Sequence, residues 1–382
     1  MASEVNETTQ PWVLQLCHGY DGPFLDCARQ YAVLFKETSY RVCTVYLTGE
    51  PNQDVITGSA SDEVVFLNFS SRGIRGLKLE AISRVRKIIR SRNFELCIAH
   101  RFKPTYVAAL ASTHLPTIGV QHAFGVYKRR SRQLFARFFR KRLLLLGVSD
   151  AVRNDVRNCL PSWPPERIQT LYNRIDVKAL QAQQVSRDEA RRFFGIPESA
   201  WVVGNVGRLH PDKDQNTLIH GFAEALPALP DNALLLIIGT GRLGEDLLDL
   251  ARSLGVEKRV VFAGHVSHAS RYFKAFDVFA LSSVNEGFGM VLAEAMAAGV
   301  PIVSSDSKAG REIVADVGVL FPVKDKRGLA EALTLAGKLS EEEKAAKAQA
   351  GYTKLRKCFS DDAAKYRFHE LILPVLMKNA EK

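Results

Sequence analysis

Short apolar runs alternate with amphipathic stretches along most of the chain. In the first half WVLQLC, YRVCTVYL, EVVFLNF, ELCIAH, TIGVQH and RLLLLGV read as short buried strands. Stretches such as FLDCARQYAVLFKE and LKLEAISRVRKIIRSR read as the helices between them. Strands of this length bounded by helices predict parallel sheet built from βαβ units. A proline-rich bend, PSWPPERIQTLYNRIDV, places a domain junction at Asp176. The alternation then restarts with WVVGNVG, ALLLIIG, VVFAG, VFALSS, PIVSSD and VGVLFP. KLSEEEKAAKAQAGYTKLRKCF predicts a solvated helix, and a last helix follows over about 361–377. The expected architecture is α/β, with two Rossmann-like domains. Residues 1–175, joined by the C-terminal helix at about 362–382, form the first, and residues 176–361 the second. Ligands are expected at the carboxyl ends of the strands, in a cleft between the two.

Composition adds limits. A chain of 382 residues with 46% hydrophobic content can build two separate cores. The polar start, MASEVNETTQ, does not read as a secretory signal. No apolar run approaches the ~18 residues of a membrane span. The six cysteines (Cys17, Cys27, Cys43, Cys97, Cys159 and Cys358) show neither CxxC nor zinc spacing, which fits a reducing cytosol. The expected location is cytoplasmic, or peripheral on the inner face of the plasma membrane.

Charge changes the picture further. The net charge is +11, but residues 72–142 hold 18 Lys and Arg against only Glu80 and Glu95, so the remainder is slightly acidic. Such a field points to an anionic partner for the first half. Residues 127–143, YKRRSRQLFARFFRKRL, carry Lys128, Arg129, Arg130, Arg132 and Arg137 among eight basic residues. Leu134, Phe135, Phe138 and Phe139 recur at i, i+1, i+4 and i+5, predicting an amphipathic helix with a cationic border. It suits an anionic membrane or a phosphorylated glycan acceptor; alternatively its phenylalanines face the core and its arginines are merely solvated. No RNA-binding motif accompanies it, so nucleic acid is not an expected partner.

Three stretches carry candidate chemistry. GNVGRLHPDKDQNTLI (204–219) joins a strand to a helix and places Arg208 and Lys213 beside a helix start, a pocket for a diphosphate. Its Asp212-Lys213-Asp214 resembles a DxD metal site, but the central lysine competes with a cation, and no metal is expected. Gly239-Thr-Gly241-Arg-Leu-Gly244 is a GxGxxG between strand and helix. It lacks the acid that a dinucleotide site wants at the end of the next strand, so it reads as backbone lining a nucleotide site. In SSVNEGFGMVLAEAMAAGVPIVSSD, Glu286 and Glu294 flank a Gly-Phe-Gly turn. On one helix they would lie ~12 Å apart, too far for a retaining glycosidase pair. They fit better as hydroxyl acceptors either side of an anion held by the amides of Gly289, Met290 and Val291.

NEGFGMVLAEAMAAGVPIV resembles the E-x7-E region of the retaining glycosyltransferases of the GT-B fold, family four. GNVGRLHPDKD resembles that family's G-R-x-x-x-x-K loop, LLIIGTGRLGEDL its G-x-G strand end, VVFAGHV its base-contacting turn, LYNRIDV its N-G-[IV]-D junction and LLGVSDAVRNDV its V-S-x-x-x strand. GVQHAFG places His122 where the family has a cleft histidine. In the first glycine loop, His18-Gly19 stands where the family often has Gly-Gly.

The resemblance implies that Arg208 and Lys213, with Gly207, hold the diphosphate of a nucleotide sugar. It implies that Glu294 accepts from the ribose and that Glu286, Gly287, Phe288 and Gly289 hold the sugar. His122 would lie near the reaction centre, Gly239 and the 263–266 turn, with His265 and Val266, along the base, and Gly19 near the phosphate. The implied reaction moves a hexose, most often from a UDP-sugar, with retention and without metal, to a cell-surface glycan such as lipopolysaccharide core. A sugar-nucleotide epimerase, or a non-catalytic protein binding polyanions or membranes, is the alternative.

Overall fold

The computed structural model describes residues 10–70 and 72–374, which divide into two compact units. Of these, the residues up to 173 and those from 361 onward form the first, and residues 174–360 the second.

The first unit is built on β1 (Trp12–Cys17), β2 (Arg41–Tyr46), β3 (Glu63–Phe66), β4 (Phe94–His100), β5 (Thr117–Gln121), β6 (Leu143–Gly147) and β7 (Ile168–Thr170). They form one sheet in the order β3-β2-β1-β4-β5-β6-β7, with every pair parallel. Parallel pairing needs crossover helices on the faces, and this explains why both faces of Val13 and Leu14 are dry. On one face Leu14, Leu16, Val45 and Cys97 meet Ile82 and Val85 of the helix Leu79–Arg90, and Val107 and Ala111 of the helix Phe102–Ala111. The LLLLG run is β6, buried throughout.

The helix Asp361–Arg367 belongs to this unit. Asp361 pairs with Arg29 at 3.3 Å, Arg367 Nε donates to the Thr170 carbonyl at 2.6 Å, and Phe368 packs edge-on to Phe35. The expected final helix beyond residue 374 lies outside the described residues.

The second unit holds β8 (Trp201–Val206), β9 (Ala233–Ile238), β10 (Val260–Gly264), β11 (Val278–Leu281), β12 (Ile302–Ser305) and β13 (Val319–Phe321). Their order is β10-β9-β8-β11-β12-β13, again parallel. Arg191, fully buried, pairs with Asp277 at 2.8 Å. The same carboxylate accepts from the Val202 amide at 2.7 Å, so the charge is offset and β8 is tied to the start of β11. In each sheet the direction of strand addition reverses once, at β1/β4 and at β8/β11. These are the two topological switch points, where the loops at the carboxyl ends splay and leave a crevice.

The basic stretch is helical over Arg130–Phe139 only, and its apolar residues divide. Phe139 is buried and Phe135 packs on Phe102 and Tyr106, whereas Leu134 (64%) and Phe138 (81%) stand in solvent. Part of the stripe is therefore core, and part is a solvent-facing apolar edge.

Candidate functional site

At the β8/β11 switch point the backbone brings three loops together. The Gly207 amide donates to the Ile238 carbonyl at 2.9 Å, the Leu209 amide to Thr240 at 3.0 Å and the Gly239 amide to Gly264 at 2.8 Å. Gly239 sits at φ +141°, and a Cβ there would lie 2.0 Å from the Gly207 carbonyl oxygen. A Cβ on Gly241 would lie 2.3 Å from that of Leu209. The first two glycines of the GxGxxG are thus required by loop contact, and Gly244 opens the helix Gly244–Ser253.

Lys213 closes the turn Pro211–Lys213, which the loop after β11 grips. The Val284 amide donates to the Asp212 carbonyl at 2.9 Å and Ser282 Oγ to the Lys213 carbonyl at 2.9 Å. The Lys213 ammonium forms an ion pair with Glu286 Oε1, and Ser283 Oγ donates to the same oxygen at 2.9 Å. Glu286 is buried, so the pair is held away from bulk water. Arg208 is exposed, and its carbonyl accepts from Gln215 Nε2 at 3.0 Å.

The two acids flanking Lys213 have other tasks. Asp212 pairs with His210 at 3.2 Å, while Asp214 caps the helix Gln215–Ala225 through Thr217. Among the described residues no three His, Cys, Asp or Glu side chains are grouped to hold a metal ion.

Glu286 precedes the next helix, Met290–Ala297, so the helical spacing to Glu294 does not apply. Gly289, at φ +85°, starts that helix with no side-chain cap. Its first amides have no partner within the helix and are the positive end of the helix dipole. Leu292, Ala293, Ala295 and Met296 are buried, and Glu294 is half-buried. Phe288 packs its ring on Phe359 and anchors the turn between Gly287 and Gly289. Met290 and Val291 are partly exposed. Beyond β10, His265 is exposed and Val266 half-buried.

In the first unit Gly19 lies against Thr48; a Cβ would stand 2.7 Å from its hydroxyl. His122 follows β5, and its Nε2 lies 3.3 Å from Nδ1 of His100, the last residue of β4. The two rings stack, with centroids 5.5 Å apart. Cys27 Sγ lies 3.8 Å from His122 Nδ1. Burial, and then the charge of Arg101, push the His122 imidazole down to about 4, so it is neutral at pH 7. Burial, with Lys103 and Arg101, does the same to His18, and burial with His122 holds His100 well below the usual range.

The sign of the pH dependence follows. Between the unfolded value near 6.5 and the folded value near 4, the unfolded chain binds more protons, so stability falls as pH drops through that window. Melting temperature is expected to fall from pH 7 to pH 4, more steeply than in a His100→Gln/His122→Gln protein. An equal slope in both would assign the drop to other groups.

Of the five predicted basic residues, Lys128, Arg129, Arg130 and Arg137 are exposed on the surface. Arg132 stacks on Phe102 at 4.5 Å and lines a cavity with His18 and His122. Sequence reasoning missed Ser283, His100, Arg101 and Gln121. One of them, His100, had a visible signal: ELCIAH ends in histidine as TIGVQH does, and adjacent parallel strands set their ends side by side.

Comparisons with known proteins bear on the fold that carries this geometry. The Glycosyl transferases group 1 family matches residues 186–353, and Glycosyltransferase Family 4 matches residues 38–179. Both models describe glycosyltransferases, and they match successive parts of the chain. It is 28% identical over 190 residues to the N-acetyl-alpha-D-glucosaminyl L-malate synthase of Bacillus anthracis, covering 49% of this chain and 48% of that one. The chain thus spans about half the length of this curated relative. Anabaena Alr3699/HepE, solved in complex with UDP and glucose, superposes with a TM-score of 0.78 at 20% identity, over 95% of this chain and 99% of that one. WaaG, a glycosyltransferase involved in lipopolysaccharide biosynthesis, gives 0.66 at 19% identity, over 92% and 98%. At these identities the likeness is one of fold, and the fold is GT-B.

Proposed function

We propose that this glycosyltransferase moves a hexose from a nucleotide sugar, a UDP-sugar, to a cell-surface glycan acceptor such as lipopolysaccharide core, with retention and without a metal ion. The observation that carries the reading is the Lys213–Glu286 pair at the β8/β11 switch point, beside the uncapped helix start at Gly289. A leaving diphosphate develops negative charge as its bond to the anomeric carbon breaks. Lys213, Arg208 and the amides after Gly289 are a preorganised positive set for that charge. Glu286 takes the sugar's hydroxyls and Glu294 the ribose, and the leaving phosphate assists deprotonation of the acceptor. His122, neutral at pH 7, can take or give a hydrogen bond without adding charge. The UDP bound by the Anabaena protein supports the donor, and the biosynthetic role of WaaG supports the acceptor class. The exposed Leu134 and Phe138 beside Arg130 and Arg137 favour a peripheral position on an anionic membrane. Among the described residues no helix is long and apolar enough to cross one.

Calorimetry with UDP-, GDP- and ADP-sugars in EDTA tests the donor site. One of them is expected to bind wild type, and Glu294→Ala to lose that binding. Binding of none, or of NAD alone, would overturn the reading.

A further inference from the structure

The first unit has a cavity of about 210 Å³ at the carboxyl ends of β4 and β5. That is smaller than the roughly 300–1,000 Å³ of sites for whole small molecules, so it suits one chemical group rather than a glycan. Arg101, Lys103 and Arg132 line it, together with His18, Gln121 and His122, and no Asp or Glu does. The guanidinium of Arg132 stacks on Phe102 at 4.5 Å and donates to the Val126 carbonyl at 2.9 Å. The guanidinium of Arg101 stacks on Phe24 at 4.7 Å. Both cations are therefore held in place before any ligand arrives.

Two further observations set this cavity apart from an ordinary basic surface. Gln121 is fully buried, yet neither its side-chain nitrogen nor its oxygen has a hydrogen-bond partner, and His18 Nδ1 is likewise without one. Buried polar atoms left without partners mark a place where a ligand completes the set. Arg101 also adopts φ 74°, ψ 168°, a conformation that only glycine takes freely. It is locked there by its amide on Val120 at 2.8 Å and by the Thr105 hydroxyl on its carbonyl at 2.8 Å. Strain held this firmly on a cavity wall has a use beyond packing.

The surrounding charges agree. Burial, then Lys103 and Arg132, push the nearby Lys78 ammonium down. Asp21, which acts on His18, and the Cys27 thiol, which acts on Arg101, are the opposing groups.

We propose that this cavity is a phosphate site for the acceptor. A phosphomonoester dianion bridges Arg101, Lys103 and Arg132, takes a hydrogen bond from the Gln121 amide, and sets the acceptor's sugar beside His122. Three cations and no lining acid match a dianion. The inference rests on the glycosyltransferase reading and names its acceptor as phosphate-bearing, either a soluble sugar phosphate or a lipid-linked one.

The test measures binding of inorganic phosphate and of glucose 6-phosphate by calorimetry, with glucose as the control, in wild type, Lys103→Gln and Arg132→Gln. Both phosphates are expected to bind wild type while glucose does not, and each variant to bind roughly ten-fold or more weakly. Lys103 is exposed, so its variant tests the site without disturbing packing. The nucleotide-sugar affinity of both variants is measured alongside and is expected to stay within two-fold. Phosphate binding unchanged in both variants, or abolished by excess UDP, would place the anion elsewhere and overturn the site while leaving the donor reading intact. A failure of nucleotide-sugar binding in wild type would sink the donor reading separately. Vesicles carrying phosphatidic acid, compared with phosphatidylcholine, distinguish the sources. Competition by phosphatidic acid for glucose 6-phosphate supports a lipid-linked acceptor, and its absence supports a soluble one.

Discussion

Lys213→Ala lowers kcat for sugar transfer by on the order of 10²–10³-fold, the cost of removing one preorganised donor to developing negative charge. The structure adds a second loss. Lys213 is the cation paired with the buried Glu286, so the variant leaves that carboxylate with Ser283 as its remaining side-chain partner shown here. Removing one member of a buried pair costs more than the pair contributes, because the other charge stays desolvated. Lys213→Arg keeps the charge but changes its reach, and it is expected to recover part of the rate. Steady-state kinetics of both variants, with melting curves taken without donor, separate the two effects. A kcat within three-fold of wild type in Lys213→Ala would remove Lys213 from the reaction.

Gly239→Ala is expected to destabilise the second unit by about 3 kcal/mol or more and to abolish nucleotide-sugar binding. A side chain at φ +141° is strained, at about 1–3 kcal/mol. Its Cβ would also press within 2.0 Å of the Gly207 carbonyl, which cannot swing aside as a side chain can. Relief requires the Gly207–Leu209 backbone to move, breaking its bonds to Ile238 and Thr240 and shifting Arg208 and Lys213 with it. Gly255→Ala is the control: its φ is +67°, but nothing lies within 4 Å of its Cβ, so it carries backbone strain without the clash. Chemical denaturation and calorimetry on both variants measure the difference. Equal stability of the two would mean that the loops yield freely.

Local order made much of the molecule legible. Runs such as LLLLG and ALLLII are short, apolar on both faces and bounded by helices, and only a parallel strand uses such a run. The turn and helix from Glu286 to Ala297 lie within a few residues of one another, so the glycine start, the apolar face and the flanking acids could all be read together. The split of the basic stretch was harder. Leu134 and Phe138 recur at the same spacing as Phe135 and Phe139, and periodicity does not say which side meets Phe102 and Tyr106.

What depended on strand order could not be read along the chain. Lys213 and Glu286 are 73 residues apart and meet because β8 and β11 are neighbours at a switch point. His100 meets His122 because β4 lies beside β5, and burial there, rather than residue type, keeps both rings neutral at pH 7. The phosphate cavity likewise draws Arg101 from the start of one helix, Gln121 from the end of β5 and Arg132 from the helix Arg130–Phe139. By itself the sequence determined the strands, the helices and the glycine turns, since those follow from side-chain periodicity and backbone freedom within one short segment. Only the tertiary structure decided which charges pair, which histidines lose their proton and which cations share a wall, because those depend on distance and on exclusion of water.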